Sequence, residues 1–304
     1  MRYSLGLDIG GTNIKAACIS EHGALLEWRT AETAAGGAWQ PRVRDFIAAL
    51  QKDLGAQALC IGVAAPGLAA RDGRSIEFMP GRLPGLEGLN WTEFLNAPAP
   101  VPVFNDAHAA LLGEVAFGAA AGLQDCILLT LGTGVGGAIL SGGKLLRGHI
   151  GRAGHLGHIS VNFDGPPDIV NTPGSLEDAI GECTLAARSK GAYASTQALV
   201  ADSINGSEHA REIWLRSVKA LACGIAGLVN VLDPEAVILG GGIANAGAAL
   251  FDPLNEFLAK CEWRPAAHRV KILAAKLGEK AGALGAAQQA AARGSTMAKE
   301  FFDY

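Results

Sequence analysis

The sequence predicts an α/β protein of two domains, and three observations support this. Its 304 residues are enough to form two hydrophobic cores of ordinary size. Apolar residues make up 49% of the chain and charged residues 18%, and the 41 glycines indicate many tight turns. Three apolar segments end in glycine clusters, LDIGGT (7–12), LTLGTG (129–134) and VILGGG (237–242). This repetition favours a duplicated architecture over a single nucleotide-binding fold.

The first half of the chain alternates predicted strands and helices. Hydrophobic spacing and turn residues predict strands at 3–9, 14–19 and 24–31, a helix at 41–54, strands at 58–66 and 100–106, and an alanine-rich helix at 107–121. The first three strands are joined by short turns that contain glycine, which predicts an antiparallel start to a sheet.

The second half repeats this alternation. Strands are predicted at 126–134, 136–140 and 236–242, and a helical stripe at 214–232 ends at Asp233-Pro234. Residues 165–175 lack periodicity and are interpreted as an ordered loop at the site. We place the domain boundary after residue 117, which gives domains 1–117 and 118–304, with the C-terminal helix free to return to the first domain.

Charge and composition exclude several partner classes. A net charge of −4 and a pI near 6.0, without a dense basic run, argue against nucleic acid. No uninterrupted apolar stretch reaches the ~18 residues of a membrane-spanning helix, and no signal peptide is recognised, so a cytoplasmic protein is expected. Six scattered cysteines are interpreted as reduced core residues: Cys18, Cys60, Cys126, Cys183, Cys223 and Cys261.

The first glycine cluster joins a carboxylate to exposed backbone. Gly10, Gly11 and Thr12 offer N–H groups that no Cβ shields, which suits phosphate oxygens, and Asp8 precedes them at the strand end. Because Mg²⁺ binds through few carboxylates beside a phosphate, Asp8 is a candidate Mg²⁺ ligand. A tight hairpin turn explains the same residues equally well.

Other local patterns are ambiguous or negative. Gly132, Gly134 and Gly137 satisfy G-x-G-x-x-G, but a predicted strand follows instead of a helix, which disfavours a dinucleotide fingerprint. No Walker A match exists. Asn105-Asp106 ends a strand and opens a helix, so it fits either helix capping or a general base for a substrate hydroxyl.

Seven segments taken together resemble the ROK family of bacterial sugar kinases and sugar-sensing repressors. They are LDIGGTNIK (7–15), GVAAPG (62–67), FNDAHAALLGE (104–114), LTLGTGVGGAI (129–139), HLGHISV (155–161), LDPEAVILGGG (232–242) and LGEKAGALGAA (277–287). The resemblance implies an actin-like, ribonuclease-H-like ATPase fold in which two α/β domains flank a cleft. It places a sugar in the depth of the cleft and ATP along the C-terminal domain.

The resemblance also implies a role for each site residue. Asp106 matches the catalytic base that takes the proton of the sugar hydroxyl. The implied sugar contacts are Gly67, Asn105, Asp106, His155, His158 and Glu177. The implied nucleotide contacts, with Lys15 as a phosphate neighbour, are Asp8, Gly10, Gly11, Thr12, Gly132, Thr133, Gly134, Gly136, Gly240, Gly241 and Gly242.

The chain departs from the family pattern at its zinc site. Where the family shows three zinc-binding cysteines after His158, this chain has Asp168, Val170 and Ser175. Without thiolates we expect no structural zinc, although a residual metal on His155, His158 and Asp168 remains an alternative. His155 replaces the usual sugar-binding glutamate, and His108 replaces an asparagine, so the identity of the sugar stays open.

The expected function is ATP-dependent phosphorylation of a hexose, at O6 of glucose. Alternatives are an N-acetylhexosamine or other hexose, polyphosphate as donor, and an inactive sugar sensor. A repressor is disfavoured because the first phosphate motif begins at residue 7, which leaves no room for a preceding DNA-binding module. The resemblance further implies a homo-oligomer, with a dimer expected.

Overall fold

In the computed structural model, residues 2–33, 39–79, 81 and 83–294 are described. Their contacts divide the chain into two units. The first comprises the described residues of Met1–Ala121, Arg147–Ala153 and Glu279–Tyr304, and the second Gly122–Leu146 and Gly154–Gly278. The boundary predicted after residue 117 lies four residues before the end of the first segment of unit one.

The first unit is a five-stranded sheet with helices packed on it. Its elements are β1 Tyr3–Ile9, β2 Asn13–Ser20, β3 Leu25–Glu32, α1 Trp39–Leu54, β4 Cys60–Ala65, β5 Leu68–Ala69, β6 Ile76–Phe78, α2 Trp91–Phe94, β7 Val103–Asn105 and α3 Asp106–Phe117. The strand order is β3-β2-β1-β4-β7, with β1, β2 and β3 antiparallel and β1, β4 and β7 parallel. The predicted antiparallel start is confirmed.

The second unit repeats this topology. Its elements are β8 Cys126–Leu131, β9 Val135–Ser141, β10 Lys144–Leu145, α4 Leu176–Ile180, α5 Leu185–Arg188, α6 Thr196–Ile204, α7 Glu208–Leu232, β11 Ala236–Gly240, α8 Ala248–Cys261 and β12 Lys271–Ala274. The strand order is β10-β9-β8-β11-β12, again with antiparallel hairpins followed by parallel strands. The same order in both sheets bears out the predicted α/β duplication.

The last helix, α9 (Ala281–Gly294), belongs to the first unit, where it packs on β1, β4 and α3. Glycine makes this approach possible. A Cβ added at Gly6, Gly62, Gly113 or Gly285 would lie 1.9–2.4 Å from a backbone oxygen across the contact. Since real Cβ atoms do not approach so closely, glycine at these positions lets the α9 backbone lie directly against the backbones of β1, β4 and α3.

Helix α7 forms the core of the second unit. It buries a stripe of residues at helical spacing that includes Trp214, Val218, Leu221 and Ile225. In the described part of the chain it is the one helix long and apolar enough to cross a membrane. Its buried stripe packs against α4, α6 and α8, as in the core helix of a globular unit.

The cysteine prediction is wrong in part. Cys18 and Cys126 are buried, but Cys60 is half-buried, and the free thiols Cys183, Cys223 and Cys261 are exposed. For two of them the reason is helical geometry: Cys223 lies on the outward side of α7, and Cys261 is the last residue of α8. An apolar sequence neighbourhood does not decide which face of a helix a residue occupies.

Candidate active site

The candidate site of the first unit lies at the carboxyl edge of its parallel strands. Asp8 is the penultimate residue of β1, the loop carrying Gly67 follows β4, and Asn105 ends β7. The strands are in register, with Asp8 opposite Ala64 and Ala65 opposite Asn105. The topology therefore brings these residues, separated by about a hundred positions, to one edge.

Asp8 and Asp106 form a pair of carboxyl groups at this edge. Burial, and next the negative charge of Asp106, raise the pKa of Asp8 to about 7, while Lys15 opposes the shift. Lys15 is the cross-strand neighbour of Asp8 in the β1–β2 hairpin. Asp106 is exposed as the first residue of α3, and its Oδ1 accepts the Ala107 N–H at 2.8 Å.

A concavity of about 210 Å³ adjoins Asp8, and its lining is Asp8, Gly10, Gly11, Thr12, Asn13 and Lys15. The first glycine turn forms its wall. Gly10 N–H donates to Asn13 O at 2.9 Å, and the Thr33 hydroxyl donates to Gly10 O at 2.8 Å. In the described part of the chain, the N–H groups of Gly11 and Thr12 donate no hydrogen bond, so they are available to an anion.

Gly282 is a residue of this site that the sequence analysis did not single out. A Cβ there would lie 2.9 Å from Asp8 Oδ2. Glycine at the start of α9 therefore leaves the space that the Asp8 carboxyl group occupies. The signal was present in the motif LGEKAGALGAA, but nothing in that motif shows which strand the helix faces.

Asn105 is shared between capping and loop anchoring. Its Oδ1 accepts the N–H groups of Ala107 (3.0 Å) and His108 (3.3 Å), which confirms the capping interpretation. Its Nδ2 donates to Gly67 O at 3.0 Å. Gly67 has φ +103°, and a Cβ there would lie 2.5 Å from Met79 Cβ, so this loop conformation requires glycine.

His108 is a second residue whose role the sequence did not reveal. It is buried, and its Nε2 lies 3.0 Å from Ala153 O. Because a carbonyl only accepts, Nε2 carries the proton. His108 thus anchors Arg147–Ala153, a segment that belongs to the first unit although both flanking segments belong to the second.

The second glycine turn, residues 132–134, is held by hydrogen bonds with residues 177–183. Glu182 N–H donates to Gly132 O at 3.0 Å, and Cys183 N–H donates to Thr133 O at 2.8 Å. Glu177 Oε2 accepts the Val135 N–H at 2.8 Å. With their carbonyls engaged, Thr133 and Gly134 keep N–H groups that donate to no acceptor within the described ranges.

The third turn lies beside the second because β8 and β11 are parallel neighbours, with Thr130 opposite Gly240. Gly241 has φ +85°, and a Cβ there would lie 2.2 Å from Leu131 O. Gly242 has open space around it. Gly136, in contrast, is not part of a turn, because it pairs with Thr130 inside β9.

The two histidines lie at a single 3₁₀ turn of the second unit, Leu156–His158, since His155 precedes the turn and His158 is its last residue. Burial lowers the pKa of His155, and its neighbour His158 lowers it further. His158 Nδ1 lies 2.8 Å from Oδ2 of Asp168, whose side chain is fully buried. Across the described residues, no group of three or more His, Cys, Asp or Glu side chains is arranged to hold a metal ion.

Comparisons with known proteins agree on one family. The model of the ROK family matches residues 4–293. Glucokinase of Thermotoga maritima is 33% identical over 304 residues, which cover 93% of this chain and 95% of that protein. N-acetylmannosamine kinase of Escherichia fergusonii is 34% identical over 290 residues, covering 93% and 97%.

A solved structure supports the same assignment. The ROK family glucokinase of Streptomyces griseus, in complex with glucose and AMPPNP, superposes with a TM-score of 0.77 at 30% identity, covering 95% of this chain and 99% of that one. The chain therefore belongs to the ROK family and is a carbohydrate kinase. The actin-like fold implied by the sequence resemblance is confirmed.

Proposed function

We propose that this kinase transfers the γ-phosphoryl group of ATP to O6 of a hexose, with glucose as the acceptor. One observation carries the proposal: the first two glycine turns present free N–H groups, and each has a glycine that packing does not require. A Cβ at Gly11 or Gly132 would meet nothing within 4 Å. Phosphate binding explains why these two positions lack a side chain, because glycine lets the phosphate approach the backbone N–H groups closely.

Asp106 is the proposed base. Its exposed carboxylate accepts the proton of the sugar hydroxyl as that oxygen bonds to the γ-phosphorus and the bond to the β,γ-bridging oxygen breaks, releasing ADP. The N–H groups of Gly11, Thr12, Thr133 and Gly134 stabilise charge on the phosphate oxygens. Asn105, Gly67, His155, His158 and Glu177 contact the sugar, and Gly240–Gly242 contact the adenosine.

The residues present fit a magnesium ion at Asp8, since a half-buried carboxyl group stands beside a turn with free N–H groups. Mg²⁺ bound there would neutralise phosphate charge. Lys15, directly across the hairpin, adds a positive charge on the same side. We further propose that the enzyme acts in the cytoplasm and as a homo-oligomer.

N-acetylmannosamine is a second candidate acceptor, because a kinase of that sugar is as similar to this chain as a glucokinase. Imidazole at His155 also changes the donor and acceptor pattern offered to the sugar. The test is a panel of glucose, mannose, fructose, N-acetylglucosamine, N-acetylmannosamine and allose, each with ATP or polyphosphate, with products followed by mass. Phosphorylation of glucose by ATP at the highest kcat/KM supports the proposal. Silence across the panel favours a sugar sensor.

A further inference from the structure

The buried carboxylate Asp168 is the centre of a hydrogen-bond network in the loop that follows His158. Oδ2 lies 2.8 Å from His158 Nδ1, while Oδ1 accepts the N–H groups of Val170 (2.9 Å) and Thr172 (2.8 Å). The Ser175 side chain also bonds to it. Four groups from four positions therefore converge on one side chain that has no exposure to solvent.

These contacts fix the charge of the group. Burial alone would raise the pKa of Asp168, but the hydrogen bonds from His158, Thr172, Val170 and Ser175 outweigh it, and the pKa lies below its usual value. An ionised carboxylate has no proton to donate. The proton in the contact with His158 therefore belongs to Nδ1 of the imidazole.

The network also fixes what His158 offers to a ligand. In a neutral imidazole whose Nδ1 carries the proton, Nε2 is an acceptor. The His158 side chain keeps 26% of its surface exposed, whereas that of Asp168 keeps none. Only the histidine of this pair is therefore open to a ligand. The Ser175 hydroxyl oxygen, in turn, caps α4, which carries Glu177.

We propose that Asp168 is a positioning residue that holds His158 as the Nδ1–H tautomer, so that Nε2 of His158 accepts a hydrogen bond from a sugar hydroxyl. This inference rests on the proposed function for the identity of the ligand. It specifies the direction of the hydrogen bond: the sugar group that contacts His158 is the donor, and Nε2 is the acceptor. A carbonyl oxygen, such as that of an N-acetyl group, does not meet this requirement.

The tautomer is measured first, on the full-length protein without substrate. The chain is labelled with [¹⁵N]histidine, and the His158 signals are assigned by their loss in His158→Gln. At a pH where the ring is neutral, we expect Nδ1 to show the shift of a protonated nitrogen and Nε2 that of an unprotonated one. The opposite pattern overturns the proposal, whether or not the protein is a kinase.

The second arm uses Asp168→Asn. The amide oxygen retains the Val170 and Thr172 bonds and turns the NH₂ group toward His158, so the ring has to switch to the Nε2–H tautomer. We expect a sugar KM roughly tenfold higher or more, with kcat and the KM for ATP changed by less than about threefold. The control is Asp164→Asn, an exposed carboxylate of the same loop, which leaves all three unchanged.

The outcomes separate the two proposals. A switched tautomer with an unchanged sugar KM overturns the positioning role while leaving the kinase assignment intact. Failure of the wild type to phosphorylate any sugar of the panel overturns the proposed function without affecting the tautomer measurement. If Asp168→Asn does not fold, the contact is tested instead with deoxyfluoro sugars on the wild-type enzyme. Fluorine cannot donate a hydrogen bond. At the hydroxyl that contacts His158, fluorine should therefore weaken binding as much as removal of the hydroxyl does. The proposal is contradicted if fluorine can replace each hydroxyl of the sugar in turn without weakening binding.

Discussion

The two sheets share one strand order, but the glycine turn after the first strand of each is supported differently. The turn at 10–12 is held by hydrogen bonds at Gly10 and Thr12, and a Cβ added at Gly11 would meet nothing within 4 Å. The turn at 132–134 is tied by two backbone bonds to residues 182–183 and by Glu177 to Val135. The same topology therefore supports one open turn and one braced turn.

The residue before each turn differs as well. Asp8 and Thr130 occupy equivalent places, since each is the penultimate residue of its strand and one residue separates each from the turn that follows. The first strand thus carries a carboxyl group where the second carries a hydroxyl, and the carboxylate beside the second turn, that of Glu177, already accepts the Val135 N–H. Under the proposed function, the first unit supplies the acid–base chemistry, and the second supplies a phosphate-binding turn held by hydrogen bonds to residues 177, 182 and 183.

The largest effect on turnover is expected from replacement of Asp106, the proposed base in the first unit, by asparagine. The amide of the Asp106→Asn variant cannot accept the hydroxyl proton, so kcat should fall by at least ~10² while sugar affinity stays within about tenfold. Steady-state kinetics and sugar titration by calorimetry measure the two quantities. Asp45→Asn, at an exposed position of α1, is the control and should retain full turnover. Unchanged turnover in the Asp106 variant would remove this residue from the mechanism.

A pair of glycine substitutions compares the two turns directly. In Gly11→Ala the new methyl group has open space, so we expect the unfolding free energy within about 0.5 kcal/mol of wild type but a KM for ATP about tenfold higher. In Gly134→Ala the methyl group would lie 2.3 Å from Glu177 Oε2. The carboxylate must move and lose its bond to Val135, which costs about 1–2 kcal/mol of stability.

Urea unfolding and ATP kinetics on both variants test this contrast. Equal losses of stability would show that the two turns are supported alike. A KM for ATP unchanged in Gly11→Ala would show that the first turn does not bind phosphate, and its glycine would then need another explanation.

The raised pKa of Asp8 predicts a smaller effect that depends on pH. Above the ordinary pKa of 3.8 the unfolded chain ionises this group, but the folded chain keeps its proton up to a pKa of about 7. Stability from this residue therefore falls as pH rises from about 4 to 7 and then levels off. At about 1.4 kcal/mol per pKa unit, the penalty at pH 8 is at most about 4 kcal/mol.

Asp8→Asn removes this dependence. Without Mg²⁺ or substrate, its advantage in unfolding free energy over wild type should grow from pH 4 to pH 7 and stay constant above it. Denaturant unfolding at five or six pH values gives the difference curve. A flat curve would mean that the carboxyl group is not buried enough to resist ionisation.

Local patterns were sufficient to predict much of the fold, because alternation and helical spacing are set by residues close in sequence. The α7 stripe and the β1–β2–β3 start are examples. Long-range partners could not be predicted in this way. Nothing near Gly282 indicates that it faces Asp8, and nothing near Arg147–Ala153 indicates that His108 holds this segment in the first unit.

The resemblance assigns site roles residue by residue, and these assignments stay predictions, but the contacts that hold these residues in place could not be predicted from it. Glu177 was expected at the sugar, whereas its bond to Val135 in the glycine turn depends on a side-chain position that no motif encodes. The contact between His158 and Asp168 similarly joins residues ten positions apart across an irregular loop. Sequence motifs predict which groups contact ligands, whereas the contacts that hold those groups in place depend on tertiary packing.

The smallest expected effect is that of metal removal on the loop between His158 and Ser175. A structural zinc site contributes folding free energy through soft thiolate ligands, so a chelator unfolds a domain that depends on one. Here Asp168 occupies a family cysteine position and already accepts bonds from His158, Val170 and Thr172. Elemental analysis after purification without added metal should find no stoichiometric zinc, and EDTA should leave Tm within about 1 °C. One equivalent of zinc, or a large drop in Tm, would mean that a metal holds this loop and that the hydrogen bonds of Asp168 are not its main support.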